Sequence, residues 1–313
     1  MKKVLVTGSL AYDFIMDFPD TFEAHILPEK LKTLSVSFLV DNFSKNFGGV
    51  AGNIAYNLSL LGVPSSILAS AGKNDFALYL LHLREANIET SYIHSVAEEF
   101  TANMFIMTDR NNCQIAGFYP GAMKEDTNLK ITGNIASQFD FLVIAPTMPD
   151  AMSSFVTQAK KWKMPYLYDP AQQIPRLSPV DIEMGIDGAE IVICNDYELT
   201  LIMKKTKLSK KQILKKEKIL ITTLGDKGSV IETAKEKIPI DIARPKNIVD
   251  PTGAGDAYIA GFLAGYLTGK SLKVAGQMGA TAAAYPIETY GTQKHSFTKQ
   301  SFQKRYHETF EQF

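Results

Sequence analysis

Cysteine is almost absent from this chain. The two that occur, Cys113 and Cys194, lie far apart with no Cys-x-x-Cys and no nearby histidine pair, so neither a disulfide framework nor a zinc site is indicated, and the composition suits a reducing cytoplasm. Net charge is absent too. Lysine plus arginine balances aspartate plus glutamate, 33 against 33, and the basic residues near the C-terminus are mixed with acids. No global field draws the protein to nucleic acid. Long hydrophobic runs are also missing. The opening Met1-Lys2-Lys3 imitates the start of a signal peptide, but the apolar run after it is broken at Thr7-Gly8-Ser9 and stopped by Asp13, and no segment approaches membrane-spanning length. We expect a soluble cytoplasmic protein with no nucleic-acid or membrane partner.

What is present is enough apolar residue, 45% of 313, for a sizeable core, and α/β folds of this length often form one domain with an appended lobe. Short β-rich runs recur at residues 3–8 (KVLVTG), 65–72 (SSILASAG), 141–146 (FLVIAP), 165–170 (PYLYDP), 190–195 (EIVICN) and 218–225 (KILITTLG), separated by helix-compatible sequence. Such βαβ alternation predicts a central, mainly parallel sheet with helices on both faces. Two regions break the pattern: 33–42 (TLSVSFLVDN) alternates with period two, and 101–119 reads as a hairpin turning at Asp109-Arg110-Asn111-Asn112. Together they predict a small β-sheet lid, built from inserted segments at about 12–46 and 91–121, on a single domain spanning 1–313. From Ala254 onward the pattern is helical, ending in a polar helix near 298–311.

Phosphate-binding signals need sorting. AGYLTGKS (264–271) resembles a P-loop, but only three residues separate Gly265 from Gly269, and an apolar helix-like run precedes it where a strand is required. Gly269 reads instead as the end of one helix and Ser271 as the cap of the next. The segment VTGSLA lacks GxGxxG, which leaves a dinucleotide site unsupported. The stretch DPTGAGDAYIAGF (250–262) fares better. If a helix starts near Ala254, the N–H groups of Gly253, Ala254 and Gly255 are first-turn donors at the positive end of the helix dipole, an anion site with Asp256 beside it. Taken alone, the stretch equally supports an ordinary turn followed by a carboxylate near a helix start.

A second glycine-rich element, NFGGVAGNIAYNLSLLG (46–62), puts Gly48-Gly49 before a helix and Asn53 on its first turns. Together the two elements resemble the paired signatures of the ribokinase-like, or PfkB, family of small-molecule kinases. Gly48, Gly49, Ala51, Asn53, Ala55, Gly62 and Gly72 match the first; Asp250-Pro251, Gly253-Ala254-Gly255-Asp256 and Ala260-Gly261-Phe262-Leu263 match the second. Further landmarks follow in order from Gly8 to about Pro286: Asp13 near the N-terminus, Asn195-Asp196-Tyr197-Glu198 at a strand end, and Thr223-Leu224-Gly225 with Gly228. The resemblance implies a ribokinase-like α/β fold and ATP with Mg2+ as cofactors, a monovalent cation being left open. It implies Asp256 as general base and the amides of 253–255 as stabilisers of the transferring phosphoryl group. Asp13, Gly48, Gly49 and Asn53 would bind the substrate. Asn195, Thr223, Gly225 and Gly228 would face ATP, and Glu198 and Asp250 would serve Mg2+. Two of these keep plainer readings: Asp250 as the cap of its own turn, and Glu198 as a solvated helix residue.

The opening segment, the element at 46–62 and the hairpin resemble most the bacterial and archaeal nucleoside-kinase branch, often called adenosine kinases. That implies phosphorylation of a nucleoside 5′-hydroxyl, with adenosine leading. Asp13 and Asn53 can bind vicinal hydroxyls, and Phe14, Met16, Met104, Met107 and Phe118 are available to clasp a base. The sequence also departs from the family. Asp75 sits one residue later than the usual Gly-x-Asp spacing, and Asp169-Pro170 is followed by Ala-Gln-Gln where many sugar kinases carry Asn and Arg. The second departure weakens a ribokinase or fructokinase reading, which stays as the alternative; a non-catalytic nucleoside sensor is the more distant one. The lid leaves two uses open: covering its own site, or pairing its edge with a second subunit in a homodimer.

Overall fold

The computed structural model describes residues 2–215 and 218–310. Its thirteen strands among those residues are β1 (Val4–Thr7), β2 (Ala11–Asp17), β3 (Asn42–Gly48), β4 (Ser65–Gly72), β5 (Ile93–Val96), β6 (Ala102–Thr108), β7 (Gln114–Tyr119), β8 (Phe141–Ile144), β9 (Tyr166–Tyr168), β10 (Ile191–Asn195), β11 (Ile219–Thr223), β12 (Ser229–Glu232) and β13 (Lys237–Ile240). Nine form one sheet in the order β13-β12-β11-β10-β9-β8-β1-β4-β5, parallel from β5 to β11 and closed by the antiparallel β12 and β13. The parallel strands are short and apolar because both faces are covered. Val4 and Val6 point into one core cluster, with helices 50–60, 254–266 and 272–287, while Leu5 points into the other, with helices 149–162, 179–188 and 196–206.

The order of strands locates the site. From β1 the chain reaches β4 on one side, and only later β8 on the other. Where crossovers diverge in this way, a crevice opens outside the carboxyl ends of the strands, and ligands bind there. Beyond that edge the second sheet, β3-β2-β6-β7, forms the lid. Asp109 closes its hairpin turn, accepting the N–H groups of Asn111 (2.9 Å) and Cys113 (2.8 Å).

One expected strand is displaced. Residues 28–33 form a short 3-10 turn and 34–41 have no regular structure; the strand pairing with β2 begins at Asn42. The alternation at 33–42 misled because Leu34 and Val36 are exposed, and Phe38 packs on Phe18 and Phe22 from an irregular segment and not from a strand. The true strand, NFSKNFG, hides behind polar residues, one of which, Lys45, lies over the Tyr12 ring at 3.6 Å. The final helix runs Lys299–Phe310, and the last expected residue, 311, lies outside the described ones. As expected, Gly269 closes its helix with φ +77° and the Ser271 hydroxyl caps the next, accepting from the Val274 N–H at 3.3 Å.

Gly49 is the hinge from lid to core. Its φ is +83°, and an added Cβ would lie 2.6 Å from both Ala11 N and Ser9 O, so conformation and space both demand glycine. Gly49→Ala is expected to lower the unfolding free energy by about 1–3 kcal/mol, read as a shift of the urea midpoint with the slope unchanged.

Candidate active site

Four segments meet at the crevice. Gly253 (φ +80°) caps the helix Ala254–Tyr266. The first donation inside that helix is from Ala257 N–H to Gly253 O, 3.0 Å, whereas Ala254 N–H closes a turn on Pro251 O at 3.3 Å. The amides of Gly255 and Asp256 therefore precede every acceptor the helix can offer. A Cβ at Gly255 would meet nothing within 4 Å, so the backbone is open to approach. Asp250 caps its own turn, its Oδ1 accepting Thr252 N–H at 2.9 Å.

Asp256 is partly buried in the first turn. Asn53, from helix Val50–Leu60, donates Nδ2–H to its Oδ2 at 2.7 Å. Loss of solvation pushes the Asp256 carboxyl up to about 7; the Asn53 bond opposes this and the charge of Asp13 adds to it. Asp13 is likewise pushed up to about 7, by burial first and then by Asp250. It projects from β2 against the Cα of Gly48, where any side chain would collide with its carboxylate. Asp169, just past β9, is buried and held well above the carboxylate range by desolvation, with Glu198 and Asp256 as neighbouring charges.

Asn195 and Thr223 sit side by side, paired at the carboxyl ends of β10 and β11. Asn195 caps the helix Asp196–Thr206: its Oδ1 accepts Glu198 N–H at 2.7 Å, and Glu198 Oε2 accepts Asn195 N–H at 2.8 Å, a reciprocal capping box. Gly225 and Gly228, both at positive φ, flank the turn that follows Thr223. Among the described residues no three of His, Cys, Asp or Glu converge as a metal cage. That donor set fits Mg2+ only as an ion that keeps its waters and arrives with phosphates, which is how this hard cation is usually held.

Strand parity sorts the lid. Asp13 is paired across the sheet with Asn46 and Met104, and Met104 with Phe118, so these share the face turned to the crevice. Phe14, Met16 and Met107 lie on the opposite face, where Phe14 stacks on Phe43 and Phe105. Of the five apolar residues available to clasp a base, only Met104 and Phe118 share Asp13's face. Ile15 and Ile106, two residues along, join them.

Three residues with no local signal in the sequence also belong here. Asn53 Oδ1 accepts from Thr292 Oγ1 (2.8 Å) and Gln293 Nε2 (2.9 Å), and Gln293 reaches Tyr79. Thr292 and Gln293 come from the irregular segment between the last two helices, which carries no period to read.

Comparison with known proteins agrees with this geometry. The pattern of the pfkB family carbohydrate kinases matches residues 1–299. The nucleoside kinase of Methanocaldococcus jannaschii is 30% identical over 296 residues, 94% of this chain and 93% of that one, and its crystal structure superposes with a TM-score of 0.89. The nucleoside kinase of Burkholderia thailandensis in complex with inosine also gives 0.89, at 30% identity, covering 99% of this chain and 98% of that one. The ATP-dependent 6-phosphofructokinase of Thermoanaerobacterium thermosaccharolyticum is 26% identical over 92% of this chain and 88% of its own. The chain belongs to the pfkB family. It is an ATP-dependent phosphotransferase acting on a hydroxyl acceptor.

The raised Asp256 carboxyl has two consequences of known sign. To take a proton from an acceptor hydroxyl, the role that the family resemblance implies for it, Asp256 must be ionised, and turnover by that route is expected to rise with pH through about 7. The folded state binds an extra proton between the ordinary carboxylate range and about 7, so this group's contribution to stability falls as pH rises across that window and stays unfavourable above it. Asp256→Asn should therefore lose about 10²- to 10⁴-fold in kcat and yet melt a few degrees higher at pH 8. Calorimetry beside a rate assay checks both; a lower Tm at pH 8 would contradict the electrostatic account.

Proposed function

We propose that the protein is a nucleoside kinase, transferring the γ-phosphoryl group of ATP to the 5′-hydroxyl of a nucleoside with Mg2+, adenosine being the leading substrate. The observation that carries this is the meeting of Asp256, the open amides at its helix start, and the Asn53 amide beneath an apolar lid face. Both relatives with a TM-score of 0.89 are nucleoside kinases, and one of them holds inosine, which makes inosine the first competitor.

In this reading the ribose lies between lid and core. Asp13 accepts from its hydroxyls, and the second N–H of Asn53 donates to them, since only one is engaged with Asp256. Ile15, Met104, Ile106 and Phe118 face the base. The 5′-oxygen attacks the γ-phosphorus as its proton passes to an Asp256 carboxylate oxygen, and the bond to the β–γ bridging oxygen breaks to leave ADP. The amides at the helix start, of Gly253, Gly255 and Asp256, stabilise charge on the moving group, in which positioning and electrostatics dominate. Asn195, Thr223, Gly225 and Gly228 line the approach of ATP, with Asp169 beside them. Mg2+ would neutralise phosphate oxygens from the side of Glu198, whose second carboxylate oxygen lies outside the capping box, and Asp250. Homodimers would form through the lid's outer face, where Phe43 and Phe105 are exposed beside Phe14; sedimentation showing a monomer at every concentration would dismiss this.

ADP release should be followed with adenosine, inosine, cytidine, ribose, fructose and fructose 6-phosphate. Turnover with a nucleoside is expected to exceed that with any sugar at least tenfold. Turnover confined to the sugars would replace this reading by a sugar kinase, the alternative that the phosphofructokinase relative supports.

A further inference from the structure

Gln293 is buried on a loop, and both hydrogens of its side-chain amide are committed. The direction of each bond can be deduced from its neighbours. Asp256 offers a carboxylate oxygen, so Asn53 must present Nδ2 to it and Oδ1 away from it. Tyr79 gives its only proton to Gly48 O at 2.6 Å, so its oxygen accepts from the other side. Gln293 Nε2 faces both acceptors, Asn53 Oδ1 at 2.9 Å and Tyr79 OH at 2.6 Å, and has two hydrogens to give. Its Oε1 is thereby turned to His82 Nε2, 3.1 Å away, which fixes the proton of that imidazole on Nε2. Thr292 Oγ1 stands 2.8 Å from Asn53 Oδ1 and 3.0 Å from Phe47 O, so its single proton is shared between these two acceptors, Asn53 being the nearer. The same threonine packs its methyl group against Gly253, where a Cβ would come within 2.9 Å of Thr292 Cγ2.

We infer that Thr292 and Gln293 are positioning residues: acting through Asn53, they lock its amide in the one orientation that donates to the Asp256 carboxylate. An amide with no such donors could turn over and set Oδ1 against the carboxylate, replacing an attraction by a repulsion. The other charged groups facing Asp256 are acidic: Asp13 from β2, which favours its protonated form, and Asp169 from the end of β9, whose own carboxyl is raised by the charge of Asp256. Asn53 is the neighbour that opposes them. His82 enters only through Gln293, and burial holds it below its ordinary range, on the neutral side. The role of Asp256 as base rests on the function proposed above; the orientation of its amide partner does not.

The test uses neutral substitutions of similar size, Thr292→Val and Gln293→Met, singly and together, in the full chain. The Asp256 carboxyl is followed by 13C NMR titration, assigned with Asp256→Asn, and kcat is measured with the best nucleoside. Each single variant keeps one donor and should shift the titration slightly; the double variant should raise it by about one unit, a tenfold change in proton affinity, and lower kcat about fivefold at pH 7 as the ionised fraction falls. In an Asn53→Ala background the same pair should add nothing further, since the coupling passes through that amide. A folded double variant whose Asp256 titrates as in the wild type would overturn the inference, and so would an undiminished shift in the Asn53→Ala background. If the double variant does not fold, the single variants give the same comparison at smaller amplitude, and no shift in either overturns it. A wild type that phosphorylates no nucleoside would remove the functional reading while leaving the titration result to stand or fall by itself.

Discussion

The hydrogen bond from Asn53 to Asp256 joins parts of the chain 203 residues apart, and the site exists only where they meet. Asn53 belongs to the helix that leaves the lid through Gly49; Asp256 belongs to the helix whose bare amides face the crevice. Around this bond the usual polarity of a protein interior is inverted. Three carboxylates, Asp13, Asp169 and Asp256, are drawn out of water with no cation among the influences on any of them. Such crowding costs stability and persists because the folded core overrides it. The same crowding sets the Asp13 and Asp256 carboxyls near neutrality, the range in which a side chain exchanges protons most effectively.

What holds the crowd in place is ordinary packing. The two helices behind the site, 254–266 and 272–287, approach closely because Gly261 faces Met278 and Gly279, and Gly265 faces Ala275. Parallel strands buried on both faces fix the height of each strand end, so Asn195 and Thr223 emerge at one level. The lid obeys a different rule. Its period of two presents Asp13 and Met104 to the crevice and Phe14 and Phe105 away from it, so one face joins a carboxylate to aliphatic side chains and the other stacks aromatic rings.

Legibility in the sequence followed the range of the forces involved. Core strands such as SSILASAG were readable to the residue because burial on both faces admits only small and apolar residues there. Gly49, Gly253 and Asp256 stood out because a backbone in an unusual conformation, or open to a ligand, restricts residue type locally. The lid strand at 42–48 did not, since one face meets polar groups and the other is partly solvated, and neither writes a hydrophobic period. The face to which Met104 or Met107 belongs depends on register with β2, which no local pattern encodes. Thr292 and Gln293 were invisible for a further reason: the side chains that they hydrogen-bond lie more than two hundred residues away.

The late position of the 289–293 segment also bears on how the protein is made. All of the large sheet, the lid and both glycine-rich elements precede it, and the ribosome hides the most recently added residues. At roughly 5–20 residues per second, a nascent chain can bury most of its core while its amide at 53 is still without the two donors that orient it. Synthesis therefore delivers both sheets first and the donors to Asn53 Oδ1 late, together with the helix 299–310 that brings Phe302 and Tyr306 into the core.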